Sequence, residues 1–266
     1  MTTPSANSSR IGALRIGLAA VVLAIVAAGA FGLWYIFLRP SGPAAVADAS
    51  LVVPSRAPAT SSAGSSAAAT SSGSSSPGTL SGGIDGTWNV DTSIGSFSDF
   101  SDSFVGYRVQ EQLASVGGNT AVGRTPAVSG SLAIAGTKVT AVTIQADLTG
   151  LKSDDNRRDG QLSHQGLETS TYPTATFSLS SPIDLGSVPA DGAEVSVTAT
   201  GKLTLHGQTK DVQIALKAKL SGNTIVVTGS LEIAFADYGI SKPNSFAVLS
   251  IADTGTLELQ LFFTKA

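Results

Sequence analysis

The side chains that could bind a metal or exchange protons are few and widely separated. The chain has two histidines, His164 and His206, and no cysteine. Zinc sites in proteins use four ligands, mostly Cys and His at short spacing. We therefore expect no metal site, with His164 at the surface and His206 anchoring a turn at the end of a strand.

Three acidic residues, Asp154, Asp155 and Asp159, stand close together in the sequence. Their spacing lacks the Asp/Asn alternation and the distal Glu of a calcium loop. Acidic residues at the start of a helix complement its dipole, and we favour this interpretation. The neighbouring Arg157 and Arg158 could hold a ligand head group or form local ion pairs, of which we favour the ion pairs.

Serine is abundant, but no catalytic arrangement accompanies it. The sequence contains no Gly-x-Ser-x-Gly elbow, no P-loop and no Gly-x-Gly-x-x-Gly motif. A hydroxyl without a paired base is a weak nucleophile, and the lack of Cys excludes thiolate chemistry and disulfides. We therefore predict a protein that is not an enzyme and uses no cofactor.

The charge balance excludes a further class of partner. The formal net charge is −3, and residues 84–266 carry twelve basic against eighteen acidic side chains, a balance of −6. Nucleic-acid binding needs a basic surface that neutralises phosphates. No nucleic-acid partner is therefore expected.

An apolar stretch near the N-terminus predicts a membrane anchor. Residues 16–38 carry no charged side chain, and as a helix they would span roughly 34 Å at about 1.5 Å per residue. Arg10 and Arg15 precede the stretch, which places residues 1–15 in the cytoplasm and the rest outside the membrane. A secreted protein cleaved near Ala47 is the competing interpretation, and it also exports the remainder.

Residues 39–83 are dominated by Ser, Ala, Gly, Pro and Thr. Such a composition cannot bury enough apolar surface to offset the entropy of ordering. It predicts a disordered linker with a reach of roughly 35–40 Å. We interpret it as a tether between the anchor and a folded domain at 84–266.

The folded domain alternates between apolar and polar residues, which is typical of strands with one wet face. The alternation is clearest in 195–205 and 225–235 and recurs elsewhere, at 142–148, 212–218 and 257–261, with shorter runs around Trp88, 107–109, 132–134 and 177–179. It predicts about eight or nine antiparallel strands. The two longest strands favour a closed barrel over a sandwich.

The connections between the strands show turn chemistry and one helical segment. Gly207-Gln208 and Gly222-Asn223 are predicted as turns. Residues 154–165 are predicted to form a short helix over one barrel end. Small residues share the inward face with large apolar ones, and either leave a cavity or fit the taper of a packed barrel; they are Ala146, Ala199, Gly201, Ala218 and Gly229.

Six short motifs occur in an order that resembles the YceI-like family of lipid-binding, lipocalin-like proteins. They are Gly-Thr-Trp-Asn-Val-Asp at 86–91, Arg-Asp at 158–159, Tyr-Pro-Thr-Ala-Thr-Phe at 172–177, Gly-Lys-Leu-Thr-Leu-His-Gly at 201–207 followed by Thr-Lys, Phe-Ala-Asp-Tyr-Gly-Ile at 235–240, and Asp-Thr-Gly-Thr-Leu-Glu at 253–258. The resemblance covers residues 84–266. It implies an antiparallel eight-stranded lipocalin-like β-barrel that holds a polyisoprenoid or similar long apolar lipid.

Two positions depart from the family pattern. Gln161 stands where a His often follows the Arg-Asp pair, and Gly166-Leu167 stand where an aromatic pair often precedes the Tyr-Pro. Both departures concern the head-group contacts and the shape of the barrel mouth.

The predicted function is that of a membrane-anchored extracytoplasmic protein that stores, transports or sequesters such a lipid. The alternative is a solid-core barrel that acts as an envelope interaction or adhesion module without a small ligand. Arg158 and Tyr238 are predicted contacts of the head group or mouth. The predicted lipid-binding residues face the barrel interior and are Tyr107, Val109, Leu132, Ile134, Val142, Ile144, Phe177, Leu179, Val197, Ala199, Leu203, Ile214, Leu216, Ile233 and Phe235.

Overall fold

The structure is a computed structural model, and it describes residues 26, 43–46, 53–54, 83–114, 117–244, 246 and 248–266. The chain divides into two compact units, Met1–Ser41 and Gly42–Ala266. The predicted membrane helix lies outside the described residues except for Val26, as do the cytoplasmic segment and most of the linker. Among the residues that are described, no helix has the length and apolar character needed to cross a membrane. The predicted domain boundaries therefore stay predictions.

Strands make up most of the second unit. In chain order they are β1 (Gly86–Val90), β2 (Phe104–Leu113), β3 (Gly117–Thr125), β4 (Val128–Ala135), β5 (Lys138–Asp147), β6 (Lys152–Ser153), β7 (Thr174–Leu179), β8 (Ile183–Asp184), β9 (Glu194–Leu205), β10 (Gln208–Ser221), β11 (Thr224–Ala234), β12 (Val248–Ile251) and β13 (Thr254–Lys265).

Eight of the strands close into an antiparallel ring, in the order β1, β4, β5, β7, β9, β10, β11 and β13, with β13 returning to β1. β13 is long enough to pair with β1 near its C-terminal end and with β2 near its N-terminal end. β3 extends the sheet beyond β2, and β6 pairs with β3. The prediction of an all-β, closed, eight-stranded antiparallel barrel with one short helix is confirmed.

The register agrees with the predicted alternation. On β9 and β10, Val197 lies opposite Leu216 and Ala199 opposite Ile214, and these four residues face inward. Thr198, between them, faces outward and is exposed. Because side chains alternate along a strand, one inward residue determines the faces of its neighbours.

β3 was not predicted from the alternation. Its sequence contains three glycines, and side chains on both of its faces are buried, with Ala121 inward and Val122 and Arg124 outward. A strand covered on both sides loses the alternation between apolar and polar residues.

The helical segment was predicted correctly. Helix α1 (Asn156–Gln161) continues into a π-helical turn at Leu162–Gly166. Asp155 caps α1, since its carboxylate accepts a hydrogen bond of 2.8 Å from the backbone N–H of Arg157. Acidic residues at this helix start thus have a structural role.

The turn between β9 and β10 lies one residue earlier than predicted. Leu205 pairs with Gln208, so His206 and Gly207 form the turn and Gln208 begins β10. Both turn residues have positive φ, 50° and 72°, as a tight hairpin turn of type I′ requires. The predicted turn at Gly222-Asn223 is confirmed, because Ser221 pairs with Thr224.

The barrel interior contains two buried apolar clusters, toward opposite ends. Trp88 is the largest side chain of the first, and its indole N–H donates to the carbonyl of Ile84 at 2.9 Å. The second cluster contains Leu203, Ile233 and Tyr238. Helix α1 lies at the barrel end that contains the second cluster, where Arg158 forms an ion pair with Glu111 on β2.

Candidate functional site

The predicted lipid-binding residues line the inner side of the barrel, but they fall into two groups. Residues of the first group are buried; they are Leu132, Ile134, Ile144, Ala199, Leu203, Ile214 and Ile233. Residues of the second group remain partly exposed; they are Tyr107, Val109, Val142, Phe177, Leu179, Val197, Leu216 and Phe235.

The second group includes a continuous apolar wall on β7, β9 and β10. Phe177 lies opposite Leu203, Leu179 opposite Gly201, and Val197 opposite Leu216. Because Phe177, Leu179, Val197 and Leu216 point inward in a closed barrel, the side-chain surface that they keep faces the interior or its mouths. This wall, defined by these four residues, is the apolar surface that a long chain could contact.

The inward glycines do not add open space. A Cβ on Gly201 would clash with the ring of Phe177, and a Cβ on Gly229 would clash with Leu216. Each glycine thus allows a neighbouring strand's large side chain to lie flat against the backbone. At these two glycines the space is filled by a neighbouring side chain, so they do not leave a cavity.

Charged residues form a cluster at the α1 end of the barrel. Arg158 bonds Glu111 at 2.7 Å and also pairs with Asp154 one helical turn away. Asn119 on β3 donates to the same Glu111 oxygen at 2.6 Å. Burial by itself would lower the pKa of Arg158, but the charges of Glu111 and Asp154 outweigh it and raise that pKa.

Arg158 therefore has two carboxylate partners within the protein, Glu111 and Asp154. The pair with Asp154 is the kind of local ion pair that the sequence favoured, whereas the pair with Glu111 depends on the fold. Glu111 is in phase with Tyr107 and Val109 on β2, so period-two spacing indicates that it also points inward. That spacing is the signal through which Glu111 could have been found.

Two tyrosine hydroxyls are buried inside this end of the barrel. Those of Tyr107 and Tyr238 make no hydrogen bond to any described residue, and neither does one carboxylate oxygen of Asp159. Burial raises the pKa of Tyr107, with smaller effects from the charges of Arg158 and Asp159. Burial also raises the pKa of Tyr238, and the charge of Asp237 adds to this effect.

Tyr238 lies in a 3₁₀ turn (Phe235–Tyr238) and is part of the second apolar cluster. Its carbonyl accepts a hydrogen bond of 2.9 Å from Nδ1 of His206, whose ring lies 4.3 Å from that of Tyr172. His206 thus anchors the turn, as the sequence indicated, while His164 is exposed. In the described part of the chain, no three His, Cys, Asp or Glu side chains are grouped as metal ligands.

Gln161 and Gly166, which depart from the family pattern, lie against Pro243 and Asn244, in the segment that precedes β12. Gln161 donates to the carbonyl of Asn244 at 3.5 Å, and the backbone N–H of Asn244 donates to Gln165 at 3.1 Å. Gly166 is buried, and a Cβ there would lie 3.0 Å from Leu162 and 3.4 Å from Pro243. A large aromatic side chain at position 166 would therefore displace this segment from the mouth.

Three solved structures are among those similar to this chain. A polyisoprenoid binding domain from Saccharophagus degradans, implicated in plant cell wall breakdown, superposes with a TM-score of 0.52 at 22% identity, covering 68% of this chain and 98% of that chain. BcnA from Burkholderia cenocepacia has a TM-score of 0.47 and 23% identity, covering 60% and 95%. The YceI protein of Campylobacter jejuni has a TM-score of 0.45 and 16% identity, covering 54% and 84%.

No protein of curated function matches the sequence. The sequence model of the YceI-like domain, however, matches residues 88–263, which span the barrel from β1 to β13. The chain therefore belongs to the YceI-like domain family.

Proposed function

We propose that this protein binds a polyisoprenoid or similar long apolar lipid inside its barrel and stores, transports or sequesters it. The observation that carries the proposal is the partly exposed apolar wall of Phe177, Leu179, Val197 and Leu216 on the inside of a closed barrel. The polyisoprenoid binding described for the Saccharophagus degradans domain supports the same ligand class.

Apolar burial supplies enough free energy for such binding. Each CH₂ group moved from water to an apolar site contributes about 0.8 kcal/mol. A few isoprene units therefore suffice for about micromolar affinity after the entropic cost of association. The proposed binding needs no catalytic residue.

The charges at the α1 end favour a lipid with a neutral polar end. Arg158 is already paired with Glu111 and Asp154, and Asp159 adds a further carboxylate. A phosphate or pyrophosphate would meet these carboxylates without a free cation of the cluster to balance it. A hydroxyl or carbonyl group could instead hydrogen-bond to the hydroxyl of Tyr107.

We propose further that the barrel works outside the cytoplasm, tethered by a membrane helix at 16–38. The uncharged stretch and the basic residues that precede it support this location. A lipid carrier that remains attached to the membrane would stay close to its source of ligand.

The lumen can be tested by adding one aromatic ring on each face of β9 in the full-length protein. Val197→Phe places the ring on the inner wall, and Thr198→Phe places it on the exposed outer face. We expect Val197→Phe to lower affinity for a long-chain isoprenoid alcohol at least about tenfold while the protein stays folded, because the ring takes lipid space. Thr198→Phe should change neither affinity nor the melting temperature.

Isoprenoid binding would be measured by titration, with mass spectrometry of co-purified lipid and thermal unfolding in parallel. Unchanged binding by a folded Val197→Phe protein would place the lipid outside the lumen. Overpacking a solid core typically costs about 1–3 kcal/mol. Such a loss of stability, with no lipid bound by the unaltered protein, would instead support the solid-core interaction module. The phosphorylated isoprenoid, compared with the alcohol, tests the neutral-end proposal.

A further inference from the structure

One sector of the outer barrel surface is buried. Phe104, Val122, Val226 and Phe262 point outward on β2, β3, β11 and β13, and all are buried. Thr198, an outward residue on β9, is by contrast exposed. An outward-facing apolar stripe on adjoining strands indicates a second packing surface.

The connection between β1 and β2 covers part of this sector. Ile94 packs with Val226 and Phe262. The ring of Phe100 lies 6.4 Å from that of Phe104, and the guanidinium of Arg124 lies 4.8 Å and 4.2 Å from the two ring centroids. Arg124 is thus held flat against aromatic rings on the outside of the barrel.

Three charged side chains form the centre of this sector. Glu258 pairs with Arg108 at 2.5 Å and with Arg124 at 3.2 Å. Only 2% of the Glu258 side chain and 4% of the Arg124 side chain are exposed. Glu258 points outward, because it alternates with the inward Leu257 and Leu259.

Gly106 makes the pair between Arg124 and Glu258 possible. It lies on β2 directly between them, opposite Glu258 on β13 and opposite Arg124 on β3. A Cβ on Gly106 would lie 2.7 Å from Cγ of Arg124. The Arg124 side chain therefore crosses the backbone of β2 at its one residue without a side chain.

The remaining hydrogen bonds of these three side chains go to a segment far away in the sequence. Arg124 donates to the carbonyl of Ala44 at 2.9 Å, and Arg108 donates to the carbonyl of Pro43. The backbone N–H of Val46 donates to Glu258 at 3.2 Å. All three contacts use main-chain groups of residues 43–46, so the backbone of this segment, and not its side chains, supplies the matching donors and acceptors.

Apolar contacts extend the same interaction. Val46 is 2% exposed, and Val53 packs against Ile94, Val226 and Phe262. Both belong to the same compact unit as the barrel. Removing a hydrogen-bond partner from a buried charged group is costly, and without the segment Arg108, Arg124 and Glu258 would each lose one.

We propose that this outer sector is a docking groove for a peptide segment and that its occupant comes from the same chain, namely residues 43–46 together with Val53. The segment then acts as a clasp on the barrel and not as free tether. Residues 55–82 connect it covalently to the barrel, so the segment docks intramolecularly, at an effective concentration on the order of millimolar. Weak docking is therefore sufficient for nearly complete occupancy.

The test uses hydrogen exchange of the full-length protein, followed by mass spectrometry. We expect the backbone N–H of Val46 to exchange at least about 100-fold more slowly than those of the Ser-rich stretch at 61–76. Val46→Asp puts a second carboxylate beside Glu258 and should abolish this protection. Ala59→Asp, the matched control within the same linker, should leave it intact.

Circular dichroism and isoprenoid binding would verify that Val46→Asp retains its barrel. A synthetic peptide of residues 42–54, added to that variant, should bind and slow exchange at β2 and β13. Equal exchange rates at Val46 and at 61–76 in the unaltered protein would overturn the proposal. So would loss of protection on dilution together with a dimeric mass, because the segment would then occupy the groove of a second copy.

Discussion

At the scale of single residues, Asp102 shows how the fold changes an ionisable group. Asp102 is 3% exposed, and one of its carboxylate oxygens has no hydrogen-bond partner among the described residues. Burial raises the pKa of Asp102 to about 6, and the negative charge of Asp99 adds to this effect. The folded protein therefore binds the Asp102 proton more tightly than the unfolded chain does.

This raised pKa has a defined consequence for stability. As the pH rises from about 4 through about 6, the free energy of unfolding should fall by up to about 3 kcal/mol, and it should stay low above that range. Asp102→Asn should therefore stabilise the protein by about 1–3 kcal/mol at pH 8 and have little effect at pH 4. Urea unfolding at both pH values would measure the difference.

Asp147 provides the control, because its surroundings lower its pKa, whereas burial raises the pKa of Asp102. It is exposed, and the hydrogen bond from the Thr149 side chain lowers the pKa of Asp147. Asp147→Asn should therefore give no gain at pH 8. An equal gain from both substitutions would show that general charge reduction, and not burial of Asp102, causes the effect.

At the scale of elements, the hairpin between β9 and β10 connects backbone conformation to packing. Gly207 has a φ of 72°, and a Cβ there would lie 2.8 Å from the ring of Tyr172. Gly186 has almost the same φ, 71°, but a Cβ there would contact nothing. The two glycines thus differ in packing and not in φ.

Alanine at each position should separate the two effects. Gly186→Ala should cost about 1 kcal/mol, the usual penalty of a positive φ for a residue with a Cβ. Gly207→Ala should cost about 1–3 kcal/mol more, because Tyr172 must move from its contact with His206. Chemical denaturation of both variants measures the loss in the free energy of unfolding. Equal losses would mean that Tyr172 moves aside without a cost in stability.

At the scale of the whole molecule, the clasp bears on how the N-terminus is processed. Pro43, Ala44 and Val46 all precede the candidate cleavage point near Ala47. Cleavage there would remove the backbone groups that bond Arg108, Arg124 and Glu258. Retention of the N-terminal segment is therefore the outcome that keeps these hydrogen bonds to the buried charged groups.

We accordingly expect the full-length protein in the membrane fraction, with its barrel accessible from outside. Protease added to intact cells should remove the barrel and spare a cytoplasmic marker protein, since only the outer side is exposed to it. Immunoblotting would follow both proteins. A protected barrel would reverse the predicted topology, and a soluble product that begins near Asp48 would establish cleavage.

Local patterns in the sequence were sufficient for most of the barrel. The alternation in 195–205 and 225–235 predicted strands observed at Glu194–Leu205 and Thr224–Ala234. The inward position of residues such as Val197 and Leu216 follows from the same period of two. These features depend on neighbours along the chain, which is why the sequence by itself determined them.

The tertiary structure decided the features that depend on which strands become neighbours. The pairs of Arg158 with Glu111 and of Arg124 with Glu258 each join residues more than 40 positions apart, through strand order and register. The same register places the ring of Phe177 over Gly201. Whether this small inward residue leaves a cavity could not be decided from the sequence. The contacts of residues 43–46 were hidden by a composition typical of linkers, because they use main-chain groups that every residue carries.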